Sequence, residues 1–105
     1  MSDVSLIYAT FPDEQTAKSI AHNIVAARLA ACVNILPPVT SIYEWDGKIE
    51  ESHESAVLFK TTSQQAAALI DRLKELHPYE VPAIVGWPAD TAYAPFANWI
   101  TAQTN

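Results

Sequence analysis

The stretch from Cys32 to Trp45 reads as continuous extended chain and ends on Asp46-Gly47. No other feature restricts the fold as much. Asp-Gly is a strong hairpin signal, because both central residues of a type I′ turn need positive φ. Lys48 to Thr61 then returns as a partner strand, polar at Glu50, Glu51, Ser52, His53 and Glu54 and apolar from Ala56 to Phe59. About 14 extended residues at about 3.3 Å each reach roughly 45 Å. A folded chain of this length is only about 35 Å across, so part of the hairpin has to project. Pro37-Pro38 interrupts it, since neither residue can donate to a ladder. The projecting part carries Ile42, Tyr43, Trp45 and Ile49. Isolated two-stranded ribbons are marginal in water, so Tyr43 and Trp45 are expected at an interface with another copy of the chain. Burial there is worth roughly 2–3 kcal/mol for each. The alternative is a ribbon bent back over its own sheet.

The rest of the chain supplies what the hairpin projects from. Val4 to Thr10 reads as a buried strand. A helix start is expected at Thr10-Phe11-Pro12-Asp13, and Ala17, Ile20, Ala21, Ile24, Val25 and Arg28 carry the helical spacing to about Leu29. Ala31 to Leu36 is the next strand. Thr62 and Gln65 have capping-box spacing, and Ala66, Leu69, Ile70, Leu73 and Leu76 form the stripe of a second helix. His77-Pro78-Tyr79-Glu80-Val81-Pro82 then forbids helix and holds the backbone extended. A strand from Ala83 to about Trp87 follows, and Tyr93, Phe96, Trp99 and Ile100 fit a short third helix. The order βαβ then βαβ is that of an α+β, ferredoxin-like sandwich, expected as a single domain over residues 1–105.

Half of the 105 residues are hydrophobic and 17% are charged, enough for a real core. Twelve acidic residues against six basic ones give a formal charge of −6. That argues against nucleic acid, which requires a cationic face, and against an anionic membrane surface. No apolar run approaches the roughly 20 residues of a membrane span, and no basic-then-apolar leader opens the sequence. A lone cysteine, Cys32, is compatible with a reducing compartment. The expectation is a cytoplasmic protein.

Chemistry-bearing residues are few. Cys32 could serve copper or zinc as a thiolate, but no second cysteine or histidine stands at ligand spacing, and a small buried hydrophobe is the plainer role. His77 ends the second helix, where a cation suits the carbonyl end of the dipole. With Glu80 it could also form a weak imidazole–carboxylate site if the turn is tight. His53 sits among Glu50, Glu51 and Glu54, more simply a solvated edge than a cation site. Lys60 interrupts an apolar strand, as an edge charge or as a cleft cation that could pair with Glu80. The two glycines, Gly47 and Gly86, preclude a glycine-rich phosphate loop, and no nucleophile–base pair emerges. No enzyme is expected.

Ala30-Ala31-Cys32-Val33-Asn34, Ser41 to Ile49 with Glu51 and Glu54, Lys60-Thr61, and His77 to Pro82 occur in an order and spacing that resembles the CutA divalent-cation tolerance family. Thr10 with Pro12-Asp13 fits the same pattern. The resemblance implies a ferredoxin-like sandwich, a homotrimer joined edge to edge through the long hairpins, and a likeness to the PII signalling trimers, which bind small effectors between subunits. It also implies a role in tolerance of copper and other divalent metals, with no reaction attached. The chain departs from the family at Ala83, where members often have Glu, and at Ala9 and Leu76, where some have Cys and His. Two soft ligands are thus missing. The expected metal ligand is His77, for a weakly held copper or zinc ion. The expected cleft residues are Lys60, Tyr79 and Glu80, facing a small polar effector.

Overall fold

The computed structural model describes residues 2–105. Its elements run β1 (Val4–Phe11), α1 (Glu14–Ala26), β2 (Cys32–Ile35), β3 (Val39–Trp45), β4 (Lys48–Thr62), α2 (Ala66–Leu76), β5 (Ile84–Pro88) and α3 (Ala94–Gln103). The antiparallel sheet has the order β2-β4-β1-β5, with β3 paired to β4 farther along. This is the α+β arrangement that the element order implied.

The 15-residue strand β4 belongs to two structures at once. Its second half, Ser55–Thr62, pairs with β1 inside the sheet. Its first half pairs with β3 in a ribbon, Val39 opposite Glu54 through Trp45 opposite Lys48. Asp46 and Gly47 close that ribbon at φ 52° and 78°, the left-handed pair that the Asp-Gly signal demands. Pro37-Pro38 separates β2 from β3 along the same edge of β4. The arm projects, and the long axis of the chain is 45 Å against 26 and 23 Å across.

Residues paired across strands share a face. On one face Ile7, Ala9, Phe11, Val57 and Phe59 meet Ala17, Ile20 and Ile24 of α1 and Leu69 and Leu73 of α2, forming the main core. The opposite face carries Leu6, Tyr8, Thr10, Leu58, Lys60, Val85 and Trp87. Only its end is covered, where Ile100 of α3 packs on Val4 and Ala31. Val85 and Trp87 remain exposed there.

Two expected helix boundaries move. Thr10 does not open α1; it stays in β1, and Asp13 is the cap, its Oδ1 accepting the Thr16 N–H at 2.7 Å. That hydrogen bond holds the Asp13 carboxyl below its usual range. The helix also stops at Ala26 rather than Leu29, because Arg28 adopts φ 61° and the Leu29 N–H reaches back to Ile24 O. The Arg28 guanidinium then binds Ala102 O and Asn105 O at the end of α3. Likewise, Thr62 ends β4 and accepts the Gln65 N–H, but the Gln65 amide donates to Thr104 O instead of completing a capping box.

Gly86 is required by close packing. A Cβ there would collide with Ile7 Cδ1 and stand 2.8 Å from Leu6 O, inside the β1–β5 pair. Gly86→Ala is expected to destabilise the protein by about 1–3 kcal/mol, the usual cost of overpacking. Denaturant unfolding at matched protein concentration measures this, and an unchanged midpoint would refute the close approach.

Candidate functional site

Leu76 is the last residue of α2, and the next residue already has ψ 134° and is extended. The two prolines enforce that change. As the chain leaves the helix, His77 turns inward and is only 7% exposed. Its ring stacks on Phe11 at 4.7 Å between centroids and leans on Tyr79 at 4.8 Å. Nε2 lies 2.7 Å from Thr10 O, and Nδ1 lies 3.2 Å from the Tyr79 amide nitrogen. A carbonyl can only accept and an amide N–H can only donate, so the ring carries its proton on Nε2. Both ring nitrogens are then committed inside the protein.

This clamp sets the direction of the corner. Tyr79 emerges over the second face of the sheet, and its hydroxyl donates to Glu54 Oε2 at 3.1 Å. Partial burial first, then the hydrogen bond to Glu54 and that carboxylate's charge, push the phenol up to about 12. Register places Tyr43, Trp45 and Glu54 on the same side of the arm as Thr10 on β1. Together with Glu80, Val81 and Ala83 of the corner they enclose a cleft of about 420 Å³.

The expected site residues therefore separate. Tyr79 and Glu80 line this cleft, as do Tyr43 and Trp45, which remain 44% and 66% exposed. His77 lies behind the wall. Lys60 does not join them. It pairs with Leu6 and Cys32, six residues up β4 from Glu54, roughly 20 Å away. There its ammonium lies 5.7 Å from the centre of the Phe96 ring. A Lys60–Glu80 pair and a His77–Glu80 metal site are thus not formed within one chain. Cys32 is half-buried beside Lys60, and burial raises its thiol, with Lys60 pulling the other way. His53 lies on the arm's other face and helps line a cavity of about 130 Å³ with Asp13 and Glu14.

A divalent cation does not fit these residues. His77 has no free lone pair, and among the described residues no three His, Cys, Asp or Glu side chains gather as a ligand set. Sequence reasoning missed the roles of Thr10 and Glu54. The Thr10–His77 contact spans 67 residues and has no local signature. Glu54 stood in an acidic run that reads as a solvated edge.

Comparison with known proteins identifies the family. The model of a family described as CutA1 divalent ion tolerance protein matches residues 5–103. Protein CutA of Homo sapiens is 45% identical over 101 residues, covering 96% of this chain and 56% of the human sequence. The chain thus spans little more than half the length of that relative. Divalent-cation tolerance protein CutA of Thermus thermophilus is 44% identical over 104 residues and 99% of both chains. Among solved structures, CutA from Xylella fastidiosa superposes with a TM-score of 0.96 at 39% identity, covering 99% of this chain and all (100%) of that one.

The Tyr79–Glu54 contact has a consequence at high pH. The folded-state value of Tyr79 lies above its ordinary 10.0, so the unfolded chain ionises first. This group's contribution is intact below about pH 10 and is lost as pH rises towards about 12. Phenolate absorbance during an alkaline titration should show a late tyrosine, missing in Tyr79→Phe and shifted earlier in Glu54→Gln. A Tyr79→Phe curve that keeps the late step would reject the assignment.

Proposed function

Because the chain belongs to the CutA1 divalent ion tolerance family, we propose that it serves divalent-metal tolerance as a non-catalytic, homotrimeric binding protein with effector clefts beside its β-arms. The observation that carries this reading is the apolar surface on both faces of the arm. Trp45 on the cleft side and Ile42 and Ile49 on the opposite side are 66%, 66% and 70% exposed, and Val85 and Trp87 continue the uncovered surface on the second face of the sheet. Patches of this kind on a chain of this size call for a protein neighbour. Sister copies would supply one, and a trimer is what the family resemblance implies.

What binds in the cleft is a small polar effector rather than a tightly chelated metal. The double commitment of the His77 ring favours a PII-like signalling or scaffold role over a copper centre. Copper or zinc would be held only weakly, by scattered exposed side chains rather than a ligand set. The compartment we assign is the cytoplasm, where a single unpaired cysteine stays reduced. Among the described residues no helix is long and apolar enough to cross a membrane.

Trp45→Ala should shift the sedimenting species towards smaller mass and lower the thermal midpoint by several degrees. A trimer with an unchanged midpoint would show that the arm is not an interface. Calorimetric titration with copper and with zinc should give the same weak isotherm for wild type and His77→Ala. The variant should nonetheless be less stable by about 2–4 kcal/mol, having lost a buried ring and two hydrogen bonds. A tight site that vanishes with His77 would overturn the reading.

A further inference from the structure

We propose that the cleft between the β-arm and the corner selects a small organic cation, one carrying an alkylated ammonium group. This rests on the reading of the cleft as a binding site and names the chemistry of its occupant. The walls are of two kinds. Tyr43, Trp45 and Tyr79 bring three aromatic rings to a single cavity. Glu54 and Glu80 bring two carboxylates, and no Lys, Arg or His lines it. Aromatic rings attract cations through their quadrupoles, most strongly where water is displaced. Carboxylates at the rim add directional charge. The volume, about 420 Å³, suits a small molecule.

Other classes of occupant fit less well. Within one chain, an anion such as a nucleotide or phosphate would meet two carboxylates and no cation among the residues lining the cleft, in a chain of formal charge −6. Lys60, the cation expected to receive it, lies at the far end of β4. A bare metal ion needs several converging oxygen or nitrogen ligands. Here one Glu54 oxygen already accepts from Tyr79, and Val81 and Ala83 offer no ligating side chain. A neutral apolar molecule would strip water from both carboxylates and return nothing. An alkylated ammonium satisfies both kinds of wall, apolar on its surface and positive at its centre.

The geometry also explains the place of Tyr79. Its hydroxyl holds Glu54, and the His77 clamp holds its backbone, so one wall and one carboxylate are fixed before a ligand arrives. Preorganisation of that kind lowers the cost of binding.

Choline is a suitable probe. Its neutral control is the alcohol in which a quaternary carbon replaces the nitrogen, and inorganic phosphate is the anionic control. Calorimetry and tryptophan fluorescence on the assembled protein should show saturable choline binding, at least about tenfold tighter than the alcohol, and none for phosphate. Glu80→Gln should weaken choline by about fivefold or more. Glu51→Gln removes the same charge from the arm's opposite face and should leave it unchanged. Equal affinity for choline and the alcohol, or equal loss in the two variants, would overturn the cation assignment and leave the cleft as an apolar site. If neither choline, alcohol nor phosphate binds, the assignment falls together with the cleft's role, and the oligomer must be judged by its mass alone.

Discussion

One strand longer than the sheet it belongs to dictates the shape of this protein. Once β1 gives out at Phe11, opposite Ser55, β4 has a neighbour on only one side. From Glu54 down to Lys48 its other edge is unpaired within the chain. Open strand edges invite pairing with further chains. Charges at Lys48, Glu50, Glu51 and Glu54 restrain indiscriminate association, yet Tyr43 and Trp45 on one face and Ile42 and Ile49 on the other make the same ribbon sticky. That combination discourages aggregation in general and favours a single defined partner surface. The cleft arises from the same constraint, as the re-entrant angle where the arm leaves the body.

The corner fills that angle, and His77 fixes how. A histidine at a helix end invites two functional readings, as a cation for the dipole or as a metal ligand. Its actual neighbours select neither. A ring stacked on Phe11, with one nitrogen donating to Thr10 O and the other accepting from Tyr79, is a spacer of defined height between β1 and the turn. Few side chains could replace it, since the position needs a flat group with a donor and an acceptor on adjacent sides. The demand on this residue is therefore as strict as metal ligation would impose, for a different physical reason.

Much of this was legible before any coordinates. The Asp46-Gly47 turn, the length of the arm and the helical stripes of α1 and α2 rest on local rules, and local rules hold where neighbours in sequence are neighbours in space. Capping was less legible, because the signal that begins at Thr10 is overridden by the extent of β1, which leaves Asp13 as the cap. Gln65 shows the same limit: its side chain prefers Thr104 O, a group 39 residues away, to the cap its spacing suggested. The site was legible in membership but not in grouping. Tyr79, Glu80, Tyr43 and Trp45 were each singled out, for two separate purposes, yet they line one cavity. Lys60 was assigned to that cavity and stands elsewhere, because the length of β4 separates residues that a compact sheet would bring together.

In the proposed trimer, the overlap between cleft wall and arm surface would tie assembly to binding. Trp45 and Tyr43 are 66% and 44% exposed in one chain, and ordering side chains at an interface costs free energy. In the proposed trimer, a sister copy that contacts them would meet that cost for both events. Linkage then requires the converse: whatever fills the cleft must strengthen the assembly by the same factor by which assembly strengthens binding. No conformational change has to travel between sites, because the two events share the same side chains. A trimer built in the proposed way would report ligand occupancy through the firmness of its subunit contacts.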